Sequence, residues 1–291
     1  MESVILCGSL LTQAGGVAAD GLLSGIVTGE VRPVPAFGEK TSRHAVHDVT
    51  TRAQRQGDGW CLNGAKDVVV GAPHASHLLV TARTSGERRD RHGLSLFIVP
   101  TDHPGIERHN YRLIDERPAA DLTFHDLDLP ADSLLGSEGD ALPLVELAHD
   151  TAIAGLCAEA VGIMRRMLTD TVDYTKQRRQ FGQPLAGFQV LQHRMVDMYM
   201  ALEQSISAAY LATLRLGADP VTRTRAVSAA KAVIGDSIRQ IGQDAVQLHG
   251  AMGMTDELRL GHYFKRATVI EGQFGTVDHH VARYATTRAA G

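Results

Sequence analysis

The spacing of apolar residues changes once along this chain, between residues 130 and 140, and that change constrains the fold more than any other feature. Beyond it, apolar residues recur at steps of three and four. Phe188, Leu191, Met195, Met198, Leu202, Ile206 and Ala209 mark one face of a long amphipathic helix. Ala-rich stretches over 142–176 and 222–250 have the same character. Gly182-Gln183-Pro184 separates the first helix from the second, and 217–220, which opens on glycine and closes on proline, separates the second from the third. Such stripes are buried most simply against one another, so a four-helix domain is expected over 134–291.

Ahead of the change the pattern is that of strands. Trp60-Cys61-Leu62 leads into Asn63-Gly64, a hairpin dipeptide. Short runs follow at 67–70, 78–81, 94–99, 121–124 and 127–129, punctuated by Pro100, Pro104 and Pro130. Strands with no helix between them predict a small antiparallel β-barrel or sandwich over 29–133, with an exposed charged loop at 85–92. Residues 1–28 read as a helix over 4–13, a glycine pair and an apolar run over 22–27, too short for a core of their own. The fold class expected is α+β, a small β-domain followed by a helical bundle.

Composition narrows the function classes. The net charge of −4 and an aromatic content of 5% argue against a nucleic-acid partner. No apolar run approaches the roughly 18 residues of a membrane span, and no basic segment precedes the apolar stretch at 4–11. Cys7, Cys61 and Cys157 are far apart and odd in number, which speaks against a disulfide framework or a metal site and for a reducing, cytoplasmic setting.

Three motifs then stand in order. The first is Trp60-Cys61-Leu62-Asn63-Gly64-Ala65-Lys66. The second runs from Tyr174 through Arg178-Arg179-Gln180-Phe181-Gly182-Gln183-Pro184-Leu185 to Phe188-Gln189 and His193. The third is Gln247-Leu248-His249-Gly250-Ala251-Met252-Gly253-Met254-Thr255-Asp256-Glu257. Over roughly residues 29–285 the chain resembles the acyl-CoA dehydrogenase family. The resemblance implies FAD bound between a β-domain and a four-helix domain, across a subunit interface. It implies removal of two hydrogens from the α and β carbons of an acyl-CoA, a carboxylate taking the α proton and flavin N5 the β hydride. It places Arg178 on the FAD pyrophosphate of a neighbouring subunit, and Gln180, Phe181, Leu185, Gln189, Gln247, Gly250 and Ala251 on further FAD contacts. The residue types suit those tasks, since a guanidinium is a bidentate donor and an amide side chain both donates and accepts.

The chain also departs from that family. Only residues 1–28 correspond to its N-terminal helical domain. Aligned without gaps from Arg266, Gly275 takes the place of the usual catalytic glutamate; Glu271 reaches it only by a four-residue shift, with Asp278 the next carboxylate. The minority carboxylate position falls near Ala152, two residues from Asp150. Val68 and Val70 replace flavin-side residues after the first motif, and Phe37-Gly38-Glu39 is what is left of a threonine–glutamate–proline motif. Asp278-His279-His280 lacks metal-ligand spacing, because neighbouring helical residues point about 100° apart.

Three readings follow. The first is an FAD-dependent acyl-CoA dehydrogenase or a subunit of one, with Glu271 as the candidate base. The second is a non-catalytic partner that completes another chain's FAD site. The third is a flavin-dependent oxidase or monooxygenase on the same fold. The resemblance further implies an acyl-CoA substrate, an electron-transfer flavoprotein as acceptor, and either a homodimer or homotetramer or a hetero-oligomer with a second acyl-CoA dehydrogenase-like chain.

Overall fold

The computed structural model describes residues 1–255 and 257–289; Asp256, in the third motif, lies outside them. The chain forms two compact units, Met1–Ala152 and Ile153–Gly291.

In the first unit a π-helical turn, Glu2–Cys7, leads into α1 (Gly8–Ala14) and, past Gly15-Gly16, α2 (Val17–Thr28). Eight strands follow: β1 (Pro33–Ala36), β2 (Arg52–Gln56), β3 (Gly59–Val70), β4 (His77–Arg83), β5 (Leu94–Pro100), β6 (Ile106–Arg112), β7 (Pro118–Leu129) and β8 (Leu134–Leu135). They form one sheet in the order β6-β7-β3-β2-β4-β5-β8, with β1 added alongside β4. The pairings are antiparallel except β1 with β4 and a single β2–β4 contact. Its core gathers Val34, Trp60, Leu62, Leu78, Val80, Phe97, Phe124 and their neighbours, with Trp60 edge-on to Phe97 at 5.2 Å.

Asn63-Gly64 is not a turn. The β2–β3 hairpin turns at Gly57-Asp58, and Asn63 and Gly64 lie inside β3. Glycine is needed there because a Cβ at position 64 would lie 2.6 Å from the Thr51 Cα. The run at 67–70 is the end of the same strand, and β6 is a strand that the sequence pattern did not show. β6 forms one edge of the sheet, and its central residues Glu107, Arg108, His109 and Asn110 are all exposed; β8, at the other edge, has only two residues.

The long helix α3 (Leu142–Gln177) carries the boundary between the units. It is also long and apolar enough by composition to cross a membrane, but 56% of its most apolar window is buried inside the protein, as in a core helix. The second unit continues with the two-stranded hairpin β9 (Arg179–Gln180) and β10 (Gln183–Pro184), then α4 (Gln189–Leu214), α5 (Pro220–His249), α6 (Leu260–Gly272) and α7 (Val277–Ala289). Helix α5 is central, packing on α4, α6 and α7. It starts at Asp219, whose carboxylate accepts from the Val221 and Thr222 amides at 3.0 Å, with Pro220 at its first position. It stops at Gly250, whose φ of +61° suits glycine. On α4 the stripe faces inward through Met198, Leu202 and Ala209, while Val196, Tyr199, Met200, Tyr210, Leu211 and Leu214 are exposed.

Candidate cofactor cleft and the α6–α7 turn

The end of α3, the start of α4 and the end of α5 enclose a cleft of about 520 Å³. Arg178 follows the last residue of α3, its amide donating to the Tyr174 carbonyl at 2.8 Å. Its own carbonyl accepts from the Leu185 amide at 2.8 Å, which folds the hairpin back over the helix end. Tyr174 stacks on His249 with ring centroids 4.3 Å apart, and its hydroxyl donates to the His249 carbonyl at 3.3 Å. His249 Nδ1 donates to the Ala245 carbonyl at 2.8 Å. These contacts tie the C-terminal ends of α3 and α5 together and set Gln247, Gly250 and Ala251 around the cleft.

The cleft is positively charged. Arg194 lines it with Arg178 and lies 3.6 Å from Asp244. Burial raises the Asp244 carboxyl, and Arg194 works against that rise. The Arg178 guanidinium makes no hydrogen bond or ion pair with any described residue. A partnerless guanidinium beside an amide side chain, glycine backbone and apolar Leu185 and Leu191 suits a dinucleotide, whose pyrophosphate needs a bidentate cation.

The hairpin next to the cleft is strained. Phe181 and Gly182 form its two-residue turn with φ of +53° and +81°. Both positive values describe a turn that favours Asn-Gly, yet Phe occupies the first position. The Phe181 ring is 89% exposed and touches Phe188 edge-on at 6.1 Å. An exposed aromatic ring on a strained turn makes Phe181 a candidate contact residue.

The loop between α6 and α7 is held from several sides. Lys231 Nζ, on α5, donates to the carbonyls of Glu271 at 2.9 Å and Gly275 at 2.8 Å. His280 Nε2 donates to the Phe274 carbonyl at 3.1 Å. Arg266 forks onto Glu159 at 2.6 and 2.8 Å and reaches the Gln273 side chain at 3.2 Å. Burial pushes the His280 imidazole down to about 2, with Lys231 adding to the fall, so this ring is neutral. The His279 and His280 rings meet edge-on at 5.1 Å, an arrangement for packing.

That packing decides what position 275 can hold. Gly275 has φ of +121°, and a Cβ there would lie 2.5 Å from His279 and 2.8 Å from His280. No side chain fits, so a carboxylate at this place would require the loop to be rebuilt. Glu271, at the end of α6, has Oε1 3.7 Å from Arg239 Nη1 and is partly exposed.

Comparison with known proteins agrees with this architecture. The family profile described as "Acyl-CoA dehydrogenase, middle domain" matches residues 36–127, and "Acyl-CoA dehydrogenase, C-terminal domain" matches 152–287. The chain is 30% identical to "Acyl-CoA dehydrogenase, short-chain specific" of Megasphaera elsdenii over 283 residues, covering 94% of this chain and 72% of that protein. The chain belongs to the acyl-CoA dehydrogenase family. It is 31% identical to the short-chain specific acyl-CoA dehydrogenase of rat mitochondria over 233 residues, 79% of this chain but only 56% of the relative's length. A solved structure described as an FAD-dependent dehydrogenase superposes with a TM-score of 0.93 at 28% identity, over 99% of this chain and 78% of that one.

For an acyl-CoA dehydrogenase family member, the residues singled out from sequence fall into two groups. Arg178, Leu185, Gln247, Gly250 and Ala251 share the cleft. Gln180 and Phe181 lie on the hairpin and Gln189 opens α4; none of the three lines the cleft, and all are exposed. Arg194 lines it too, one residue past His193, where the motif reading stopped.

In the sheet unit the first motif proves structural at its end. Lys66 Nζ pairs with Glu39 Oε1 at 2.8 Å, and both side chains are buried. Glu39 also accepts from the amides and hydroxyls of Thr50 and Thr51. Burial alone would raise Glu39; the Lys66 charge and these donors prevail and hold it at about 2. Beyond Lys66 the β3–β7 register slips by a bulge that turns Val68 outward at φ of +52°. The Val68 amide donates to Asp121 at 2.9 Å, and the Tyr111 hydroxyl to the same oxygen at 2.7 Å.

Proposed function

We propose that this chain is a subunit of an FAD-dependent acyl-CoA dehydrogenase that desaturates the α,β bond of an acyl-CoA thioester. The observation that carries the proposal is the partnerless Arg178 guanidinium in a positive cleft with Gln247, Gly250 and Ala251. Bound FAD supplies the acceptor for the electron pair that leaves the substrate. Arg178 holds the pyrophosphate, Gln247 meets a polar edge with donor and acceptor, and Gly250 and Ala251 let backbone approach closely. Leu185 and Leu191 keep water from the apolar side of the cleft. Gln180, Phe181 and Gln189, exposed beside the cleft, are further contacts to the same cofactor, which is shared with a neighbouring subunit in a homo- or hetero-oligomer. Glu271 is this chain's own candidate base, and an electron-transfer flavoprotein is the acceptor. Three free cysteines support a reducing, cytoplasmic location.

A second reading is favoured by the packing at Gly275: this chain completes a site whose base stands on a second, dehydrogenase-like chain. One experiment separates the two. The purified chain is scanned for bound FAD, with stoichiometry per subunit, and titrated with butyryl-CoA as a short-chain probe. One FAD per chain and bleaching that disappears in Glu271→Gln support the first reading. Flavin present only with a co-purified chain, and bleaching unaffected by Glu271→Gln, support the second. A chain that binds no FAD alone or with partners refutes both.

A further inference from the structure

Lys231 is only 1% exposed, and its ammonium donates to two backbone carbonyls, with the Glu271 carboxylate near enough to act on its charge. An ammonium buried in this way gives up its hydration, and the two carbonyl acceptors replace part of it. Its two bonds go to the end of α6 and to the loop that follows, both reached from the central helix α5. The loop itself carries two consecutive residues at positive φ, Phe274 at +60° and Gly275 at +121°. A backbone of that kind persists only when its surroundings determine it. We propose that Lys231 is the positioning residue of the α6–α7 loop, fixing Glu271 and Gly275 together through their carbonyls. Its bearing on catalysis rests on the reading above; the fixing of the loop does not.

Titratable groups reach Lys231 from three helices. From α3 comes the Cys157 thiol, pushed up to about 12 by burial. From α7 comes His280, pushed down to about 2 by burial and by Lys231 itself, with His279 and Arg283 behind it. From α6 comes the Glu271 carboxylate. Lys231 is pushed down to about 8, burial outweighing Cys157 and Glu271. The sign follows from linkage. An opened loop hydrates the amine and returns it to the ordinary lysine range, so the open form binds a proton more tightly than the closed one. Raising the pH from about 8 towards 10 therefore favours the closed loop. The neutral amine keeps two N–H donors, one for each carbonyl.

The test is amide hydrogen exchange on the full chain as purified, with no acyl-CoA added, between pH 7.5 and 9.5. Exchange is converted to protection factors, and peptides from the middle of α5 serve as the reference. Protection at residues 272–277 should rise by about tenfold across this range while α5 stays level. Lys231→Met should lower loop protection at both pH values and remove the pH response. Lys231→Gln, which keeps N–H donors but does not titrate, should restore part of the protection without the response. A wild-type loop whose protection does not change with pH, or changes in step with α5, overturns the proposal; so does a folded Lys231→Met with wild-type protection. If Lys231→Met does not fold, the wild-type pH series and Lys231→Gln decide. Failure to bleach with butyryl-CoA would instead count against the proposed activity and leave this result standing.

Discussion

Removing one member of the Lys66–Glu39 pair should cost far more than removing both. In Lys66→Met the aliphatic stem is kept and the ammonium is lost, leaving the Glu39 carboxylate buried with Thr50 and Thr51 as its remaining donors. Glu39 lies at about 2 against an ordinary 4.5, a difference worth about 3 kcal/mol at 1.36 kcal/mol per unit. Breaking a buried pair costs about 3–5 kcal/mol, and the surviving threonine donors place this case at the lower end. For a unit of this size, about 3 kcal/mol corresponds to a fall in melting temperature of about 6–12 °C. The assay is direct, because the chain's single tryptophan, Trp60, lies buried in the same strand and reports on this unit alone. The double variant Glu39→Gln/Lys66→Met should return to within about 1 kcal/mol of wild type, since burying the two charges carries its own penalty. The pH dependence has a fixed sign. A carboxyl depressed in the folded state stabilises above its unfolded value, and that stability is lost as pH falls towards 2. In Lys66→Met the charge that does most to lower Glu39 is lost and only the threonine donors remain, so Glu39 takes up its proton at a higher pH and the deficit narrows from pH 7 to pH 4. Equal deficits in the single and double variants, or a single-variant deficit below about 1 kcal/mol, would refute the argument.

Three other expectations concern the helical unit. Arg178→Ala should leave the far-ultraviolet circular dichroism unchanged and weaken FAD retention by at least about tenfold, the worth of one charge-assisted contact; unchanged FAD content would remove Arg178 from the site. Phe181→Asn should relax the hairpin and hold or raise the melting temperature while lowering FAD content or subunit assembly; a less stable chain would mean that Phe181 serves its own fold. Gly275→Ala should destabilise the helical unit by about 2 kcal/mol or more, read by thermal denaturation, because its Cβ runs into His279 and His280 at a positive φ. A neutral outcome would show that the loop between α6 and α7 yields easily.

The helices were legible because their stripes are long. The expected 142–176 and 222–250 correspond to α3 at Leu142–Gln177 and α5 at Pro220–His249, with proline and glycine marking the ends of α5. The sheet was harder to read because its signals are short and ambiguous. Asn63-Gly64 has hairpin chemistry, but the glycine answers to the close approach of Thr51, which only the folded sheet supplies. β6 is polar and exposed through its middle, so it shows no apolar alternation. The cleft was legible mainly through the resemblance, since no spacing rule brings Arg178 to Gln247. Lys231 was silent: a lysine in an Ala-rich helix reads as a solvated position, and its burial depends on α6 and α7, which lie far along the chain and pack on α5.

The polar edge strand β6 has a further consequence for how the chain is made. All of the sheet is encoded before residue 136, so it leaves the ribosome ahead of the helical bundle. At about 5–20 residues per second, the remaining half of the chain takes on the order of ten seconds or more to follow. During that wait a nascent sheet with a long apolar border would be open to strands from neighbouring polysomal chains. Glu107, Arg108, His109 and Asn110 along one border, and the brevity of β8 at the other, deny such strands a template. The charges on β6 thus suit the sheet to standing alone while the helical unit is still being made.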